Sequence, residues 1–181
     1  QGDIGSFLGA GNNGNKITCE RTAGACAGYG QKSGRITILD GVGDDAGAKM
    51  TGGLIIIRGD AGIRIGGGMS GGDIIVHGDV GGDPGAGMKG GRIIINGRCP
   101  SPPPGVVLRT LEKSEVTEIN KTLDDEDLQI PADAVCLVSD GSIVEGIMSS
   151  CKEDLSGVAL LPATTNHNPD HSTCDTVALI G

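Results

Sequence analysis

Aromatic side chains are nearly missing from this 181-residue chain, which has no tryptophan, one tyrosine and one phenylalanine. Ordinary globular cores take much of their buried area from aromatics, so this chain must build its interior from smaller residues. Cations are also scarce, with 14 Lys and Arg against 23 Asp and Glu and a net charge of −9. Phosphate recognition needs clustered Lys and Arg, and their dispersal here argues against a nucleic-acid partner. Long apolar runs are absent too. Runs such as Leu54–Ile57 fall far short of a membrane span. No signal-peptide pattern is present, and the chain begins at Gln1 inside a repeat, as a processed or truncated form would. The cysteines at positions 19, 26, 99, 136, 151 and 174 contain no Cys-x-x-Cys pair, which weakens zinc-ribbon and thioredoxin-type readings. Their even number permits three disulfides, but a chain of this size does not need them as scaffolding. Free thiols in a reducing, cytoplasmic compartment are the expectation.

Glycine, by contrast, occurs 34 times. Collagen is excluded because no strict Gly-X-Y period exists. Low-complexity disorder is opposed by what appears when the chain is laid on itself at an offset of 19 residues. Gly5, Gly24, Gly43, Gly62 and Gly81 form one column; Gly9, Gly28, Gly47, Gly66 and Gly85 form a second. Ile17-Thr18-Cys19, Ile36-Thr37-Ile38, Ile55-Ile56-Ile57, Ile74-Ile75-Val76 and Ile93-Ile94-Ile95 share a third phase. Met50, Met69 and Met88 share another, as do Ile4, Ala23, Val42, Ala61 and Val80. Chance glycine richness does not lock so many columns into one register.

Each β-branched triplet suits a pleated surface but is too short to stand alone, so it must pair with the triplets one coil above and below. A 19-residue cycle leaves no room for a crossover helix. The fold class expected is all-β: a single-stranded, right-handed parallel β-helix, or β-solenoid, with five 19-residue coils over 2–97. Small apolar side chains at the inward phases fill its narrow interior. Both glycine columns are structural turn positions. Glycines before the triplets (Gly52-Gly53, Gly71-Gly72, Gly90-Gly91) and after them (Gly59, Gly78, Gly97) mark corners where positive φ is expected.

Several motifs are structural look-alikes. Gly66-Gly67-Gly68-Met69-Ser70-Gly71 and Gly85-Ala86-Gly87-Met88-Lys89-Gly90 read as G-x-G-x-x-G, but a dinucleotide fingerprint must follow a strand and open a helix. These two share one phase of the repeat and precede a short strand instead. Lys89 lacks the Ser or Thr of a Walker loop. Asp60 and Asp79 recur in Gly-Asp-x-Gly corners, where Asp suits local turn bonds rather than acid–base work. Cys19 holds an inward strand phase and should be a buried, inert thiol. Cys26 shares its phase with Asp45, Arg64 and Asp83 and should be exposed. Arg58, His77 and Asn96 occupy one strand-end phase and outline a candidate docking edge.

Beyond Arg98 the repeat ends. Residues 98–109, with Cys99-Pro100-Ser101-Pro102-Pro103-Pro104-Gly105, form a proline-rich linker leaving the last coil. A short mixed α/β C-terminal extension follows over 110–181. Thr110–Leu123 has the spacing of a helix that caps the solenoid's end or docks along its side. Asp124–Asp127 is an acidic turn, Ala134–Val138 a short strand, and Ile143–Met148 another apolar segment. His167, His171 and Cys174 could supply three zinc ligands from one helix, although Pro169 and the Ser172-Thr173 pair disfavour that helix and a polar tail explains the same residues.

The unit Gly-x-x-Gly-x-x-x-Gly is complete at Gly2/Gly5/Gly9, Gly59/Gly62/Gly66 and Gly78/Gly81/Gly85; Arg21 and Asp40 replace its first glycine in the other two coils. This pattern resembles the glycine-repeat (GXGXG) β-helix at the C-terminus of the large subunit of glutamate synthase. It is similar as well to the β-helix subunit of the tungsten and molybdenum formylmethanofuran dehydrogenases. The extension after Arg98 looks more like the stand-alone glutamate synthase domains familiar in archaea. The resemblance implies a scaffolding part of a multisubunit oxidoreductase, with no catalytic residue and no cofactor of its own. FMN and iron–sulfur centres, or a molybdopterin or tungstopterin, would belong to partner subunits. Glutamate synthesis with ammonia assimilation is the first expectation, and a methanogenic complex the second. A third reading, of a different class, is a free-standing surface or filament protein that associates through the ends of its β-helix, outside the cell.

Overall fold

The computed structural model describes residues 3–123 and 128–141. Five strands stack in parallel, one from each repeat: β1 (Asn13–Cys19), β2 (Ser33–Ile38), β3 (Leu54–Ile57), β4 (Ser70–Val76) and β5 (Gly90–Ile95). Equivalent residues pair across coils, Ile36 with Ile55, Ile55 with Ile74 and Ile74 with Ile93. A second parallel ladder runs through Ile4, Ala23, Val42, Ala61 and Val80. The chain is therefore a β-solenoid of 19-residue coils, winding about four turns. The strands are short, yet β2, β3 and β4 are each paired on both sides because every coil repeats its neighbour's hydrogen-bonding geometry.

Strand periodicity places the first and third residues of each triplet inside. Ile36, Ile38, Ile55, Ile57, Ile74, Val76, Ile93 and Ile95 pack there with Met50, Met69 and Met88 and with the small residues of the Ala/Val column. This core needs no aromatic ring, because stacking brings each side chain against its copies above and below. Asn12 and Gln31 hold the methionine phase in the first two coils, and both are buried. The Asn12 amide donates to the Asn15 carbonyl at 2.9 Å, and that of Gln31 to the Gly34 carbonyl at 3.0 Å.

The middle residue of each triplet faces outward. Here α1 (Lys113–Thr122) lies along the side of the solenoid and buries Val116 and Ile119 against Ile56, Ile75 and Ile94. One sheet thus separates two cores. Ten residues form the helix where the sequence suggested Thr110–Leu123, because the preceding stretch is extended as β6 (Val106–Thr110). Segment 98–109, expected as a linker leaving the solenoid, instead stays on it. Val80 donates to the Arg98 carbonyl at 3.0 Å, so the coil ladder continues one step further. The chain then folds back as β7 (Val135–Ser139), antiparallel to both β5 and β6, giving the order β1-β2-β3-β4-β5-β7-β6. Val106 and Leu137 join the interior core and plug its C-terminal end.

The glycine columns have two different causes. Gly66 and Gly85 hold φ of +66° and +74°, so the second column supplies left-handed corners as expected. The first column does not. At Gly81 φ is not positive, and an added Cβ would lie 2.8 Å from the Gly62 carbonyl carbon and 2.9 Å from Ile63 Cγ2. Close approach of one coil to the next excludes a side chain there. Gly53, Gly72 and Gly91 have positive φ, but Gly52, Gly71 and Gly90 before the strands and Gly59, Gly78 and Gly97 after them do not, and these six correct the sequence reading in the same way. A left-handed position without glycine also recurs, at Phe7, Cys26, Asp45, Arg64 and Asp83, with φ between 55° and 65°. Cross-coil bonds such as Phe7 to the Ala25 carbonyl (2.8 Å) hold that corner in place.

Candidate docking surface and the groove beneath the helix

The polar side chains of the coils chiefly tie one coil to the next. Asp60 Oδ1 accepts from the Asp79 amide at 2.8 Å, and Asp79 Oδ1 from the Arg98 amide at 2.7 Å. Asp44 does the same for Ile63 at 2.9 Å. These bonds run 19 residues along the chain and not locally, which corrects the expectation of turn bonds at Asp60 and Asp79. Two bidentate ion pairs use the same spacing, Arg64 on Asp45 and Arg92 on Asp73. A planar guanidinium matches a carboxylate one rung below it with little loss of freedom.

The second of these pairs enters a network reaching the extension. Arg92 Nη1 lies 3.8 Å from Glu115 Oε1, and Glu115 takes two 2.7 Å bonds from Arg109 on β6. The Glu115 carboxyl is held down to about 2, chiefly by the Arg109 guanidinium and next by the Glu112 amide. Arg35 Nη2 donates to the Thr122 carbonyl at 2.8 Å and anchors the C-terminal end of α1 to the second coil. Between helix and sheet lies a groove of about 360 Å³, lined by Leu54, Asp73, Ile75, Arg92, Glu118, Ile119 and Thr122. Its floor is apolar and its charged groups are of both signs, with Arg92 already engaged by Asp73.

The strand-end residues Arg58, His77 and Asn96 stack on successive coils, but not equally exposed. Arg58 and Asn96 are exposed, whereas His77 is half-buried. Its Nε2 is buried without a hydrogen-bond partner among the described residues. Desolvation lowers the imidazole pKa; the nearby Arg58 adds to that, and the Leu128 backbone opposes it. The extension, reaching Leu128, shelters the middle of the edge that the sequence presented as open.

Cys19 is buried as expected, while Cys26 is only half-exposed. The four cysteines at 19, 26, 99 and 136 are all unpaired. Burial pushes the Cys136 thiol up to about 11, which suits packing rather than nucleophilic chemistry. Both G-x-G-x-x-G stretches are solenoid corners followed by strands. His167, His171 and Cys174, the acidic residues 124–127 and the segment 143–148 lie outside the described residues. Among the described residues no group of three His, Cys, Asp or Glu side chains could hold a metal ion, and no helix is long and apolar enough to cross a membrane.

Sequence reasoning missed the groove and the helix's seat, although a signal was there. The outward triplet position reads Thr18, Thr37, Ile56, Ile75, Ile94. Threonine gives way to isoleucine where the helix covers the sheet. No family model matches the chain, and no curated protein does.

Proposed function

We propose that this chain is a non-catalytic scaffold within a multisubunit oxidoreductase, glutamate synthase-like in kind. The observation that carries the reading is the use made of the charged side chains. Asp44, Asp45, Asp60, Asp73, Asp79, Arg64 and Arg92 are all engaged in joining coil to coil or coil to extension. What is left outward is a set of broad faces with stacked equivalent positions, which favour extended docking over a substrate pocket. The glycine pattern supports the glutamate synthase family, with FMN and iron–sulfur chemistry in partner subunits. The same pattern keeps the β-helix subunit of a formylmethanofuran dehydrogenase, with its pterin metal centre elsewhere, as the nearest alternative. Both place the chain in the cytoplasm.

Purifying the tagged full-length chain from its native cells, against a tag-only control, tests this reading. Stoichiometric flavin- and iron–sulfur-bearing subunits are expected with it, and no turnover by the chain alone. Glutaminase or dehydrogenase activity in the partner-free protein, abolished by a substitution in this chain, would overturn it.

A further inference from the structure

Charge is divided within the coils, and the division repeats. The half that turns into and forms the strand (29–38, 48–57, 67–76 and 86–95) carries five Lys and Arg against one acid, Asp73. The other half (20–28, 39–47, 58–66 and 77–85) carries three against seven. Five less one leaves +4 on one side of the solenoid, and three less seven leaves −4 on the other.

On the cationic side the two arginines are already engaged, Arg92 by Asp73 and Arg35 by the Thr122 carbonyl. Lys32, Lys49 and Lys89 are not. All three are exposed, and none makes an ion pair or a side-chain hydrogen bond among the described residues. Lys32 and Lys89 share one phase, which Thr51 and Ser70 fill in the coils between. Three coils separate them, about 14 Å along the axis.

Lys49 stands in a neighbouring column with Gly11, Gly30, Gly68 and Gly87, all of positive φ. At φ 59° it is the one non-glycine there, in a conformation costly to a residue with a side chain. Strain tolerated where every other coil has glycine is a functional signal. The ammonium reaches along the edge to the next coil, since a Cβ on Gly68 would lie 2.8 Å from Lys49 Nζ. The fourth coil has no cation of its own on this side and receives one. In the last three coils only Gly52-Gly53, Gly71-Gly72 and Gly90-Gly91 lie between these columns and the strands. That floor lacks side chains, so a second backbone can pass close over it.

We infer that this lysine edge receives a partner subunit through an acidic, extended segment laid along the coils. The inference deepens the scaffold reading and rests on it, and its edge is not that of Arg58, His77 and Asn96. Alternate side chains of an extended segment fall about 7 Å apart on one face, so three carboxylates span the distance from Lys32 to Lys89. A nucleic acid fits less well. Both arginines of this side are occupied, and the acidic side of the same coils repels a long polyanion.

Two measurements on the full-length chain test this. The variant Lys32→Glu/Lys49→Gly/Lys89→Glu alters exposed sites only and gives the third coil the glycine of the others, so circular dichroism should be unchanged. Lys113→Glu/Lys121→Glu on the helix is the control. Fluorescence anisotropy at low salt uses a labelled 12-residue alternating Glu-Gly peptide and, beside it, a 12-nucleotide single-stranded DNA. The peptide should bind the parent and the control, weaken as salt rises, and bind the edge variant about tenfold or more less tightly. No peptide binding by the parent, or equal binding by the edge variant, overturns the inference; so does tighter binding of the DNA, which would make the edge a nucleic-acid face. Purification from native cells is the second measurement. Partner subunits should come with the parent and the control and be lost from the edge variant. Subunits retained by the edge variant overturn the inference and leave the scaffold reading standing. If the parent itself brings down no subunit, the scaffold reading falls, and the partner subunit inferred for the edge falls with it.

Discussion

Gly5 and Gly81 occupy the same phase of the repeat, and alanine at the two positions should move stability in opposite directions. At neither is φ positive, so backbone strain does not distinguish them. At Gly81 an alanine Cβ would sit 2.8 Å from the Gly62 carbonyl carbon, about 0.6 Å inside ordinary carbon–carbon contact near 3.4 Å. The obstacle is backbone, fixed by the 3.0 Å bond from the Gly81 amide to the Ala61 carbonyl, so the coils themselves must separate. Overpacking of this kind costs about 1–3 kcal/mol. Replacing glycine by alanine returns about 0.4–1 kcal/mol by restricting the unfolded chain. The net loss is about 1–2 kcal/mol, a fall in melting temperature of about 2–8 °C for a chain of this length. At Gly5 a Cβ meets nothing within 4 Å. Only the unfolded-state effect remains there, so Gly5→Ala should be neutral or stabilising by up to about 1 kcal/mol. Thermal and urea unfolding followed by circular dichroism would measure both. Equal losses at the two positions would refute inter-coil crowding as the reason for the column.

Valine at Gly62 or Gly81 should cost more than alanine, whereas Asp60→Asn should cost under about 1 kcal/mol, since an amide oxygen still accepts from the Asp79 amide; urea midpoints would rank them. His77 is held neutral by burial, its folded pKa below the unfolded 6.5, so its contribution should be intact above that value and fall away as pH drops below it. Unfolding measured from pH 8 to 5 should show this slope, and His77→Gln should flatten it. Glu115 has the depressed pKa of a paired carboxylate, so its share of helix docking should persist above its ordinary 4.5 and vanish as pH falls toward about 2. Glu115→Gln should remove that acid dependence. Neither flavin nor NAD should bind the purified chain, which fluorescence titration can check, because both G-x-G-x-x-G stretches are strand-flanked corners.

The solenoid was legible because its cause is periodic. Residues 19 apart meet the same surroundings, so glycine, isoleucine and methionine recur where the coil turns, pairs and packs. Helix α1 was legible from the spacing of Val116, Ile119 and Leu123, and its seat could have been read from the change from Thr37 to Ile56. The reason for the first glycine column was not legible, since composition does not separate a left-handed turn from a close approach by another coil. The strand at Val106–Thr110 was hidden by four prolines before it and by a partner, β7, some thirty residues away. The sheltering of His77 depends on a chain reversal that no local pattern encodes. The groove beside Arg92 likewise exists only once the helix lies against the sheet.

If stacking in a 19-residue register is what makes this chain a scaffold, the register can be tested by lengthening it. A second copy of residues 21–39, inserted after Leu39, adds one whole coil between the second and third and leaves Arg35 of the new coil beside Thr122. The same insertion shortened by one residue moves the first coils out of phase with the rest and turns inward side chains outward. Thermal unfolding should find the full insertion folded, with a melting temperature at or above that of the parent, and the shortened one clearly destabilised. Equal melting temperatures for the two insertions would contradict the account.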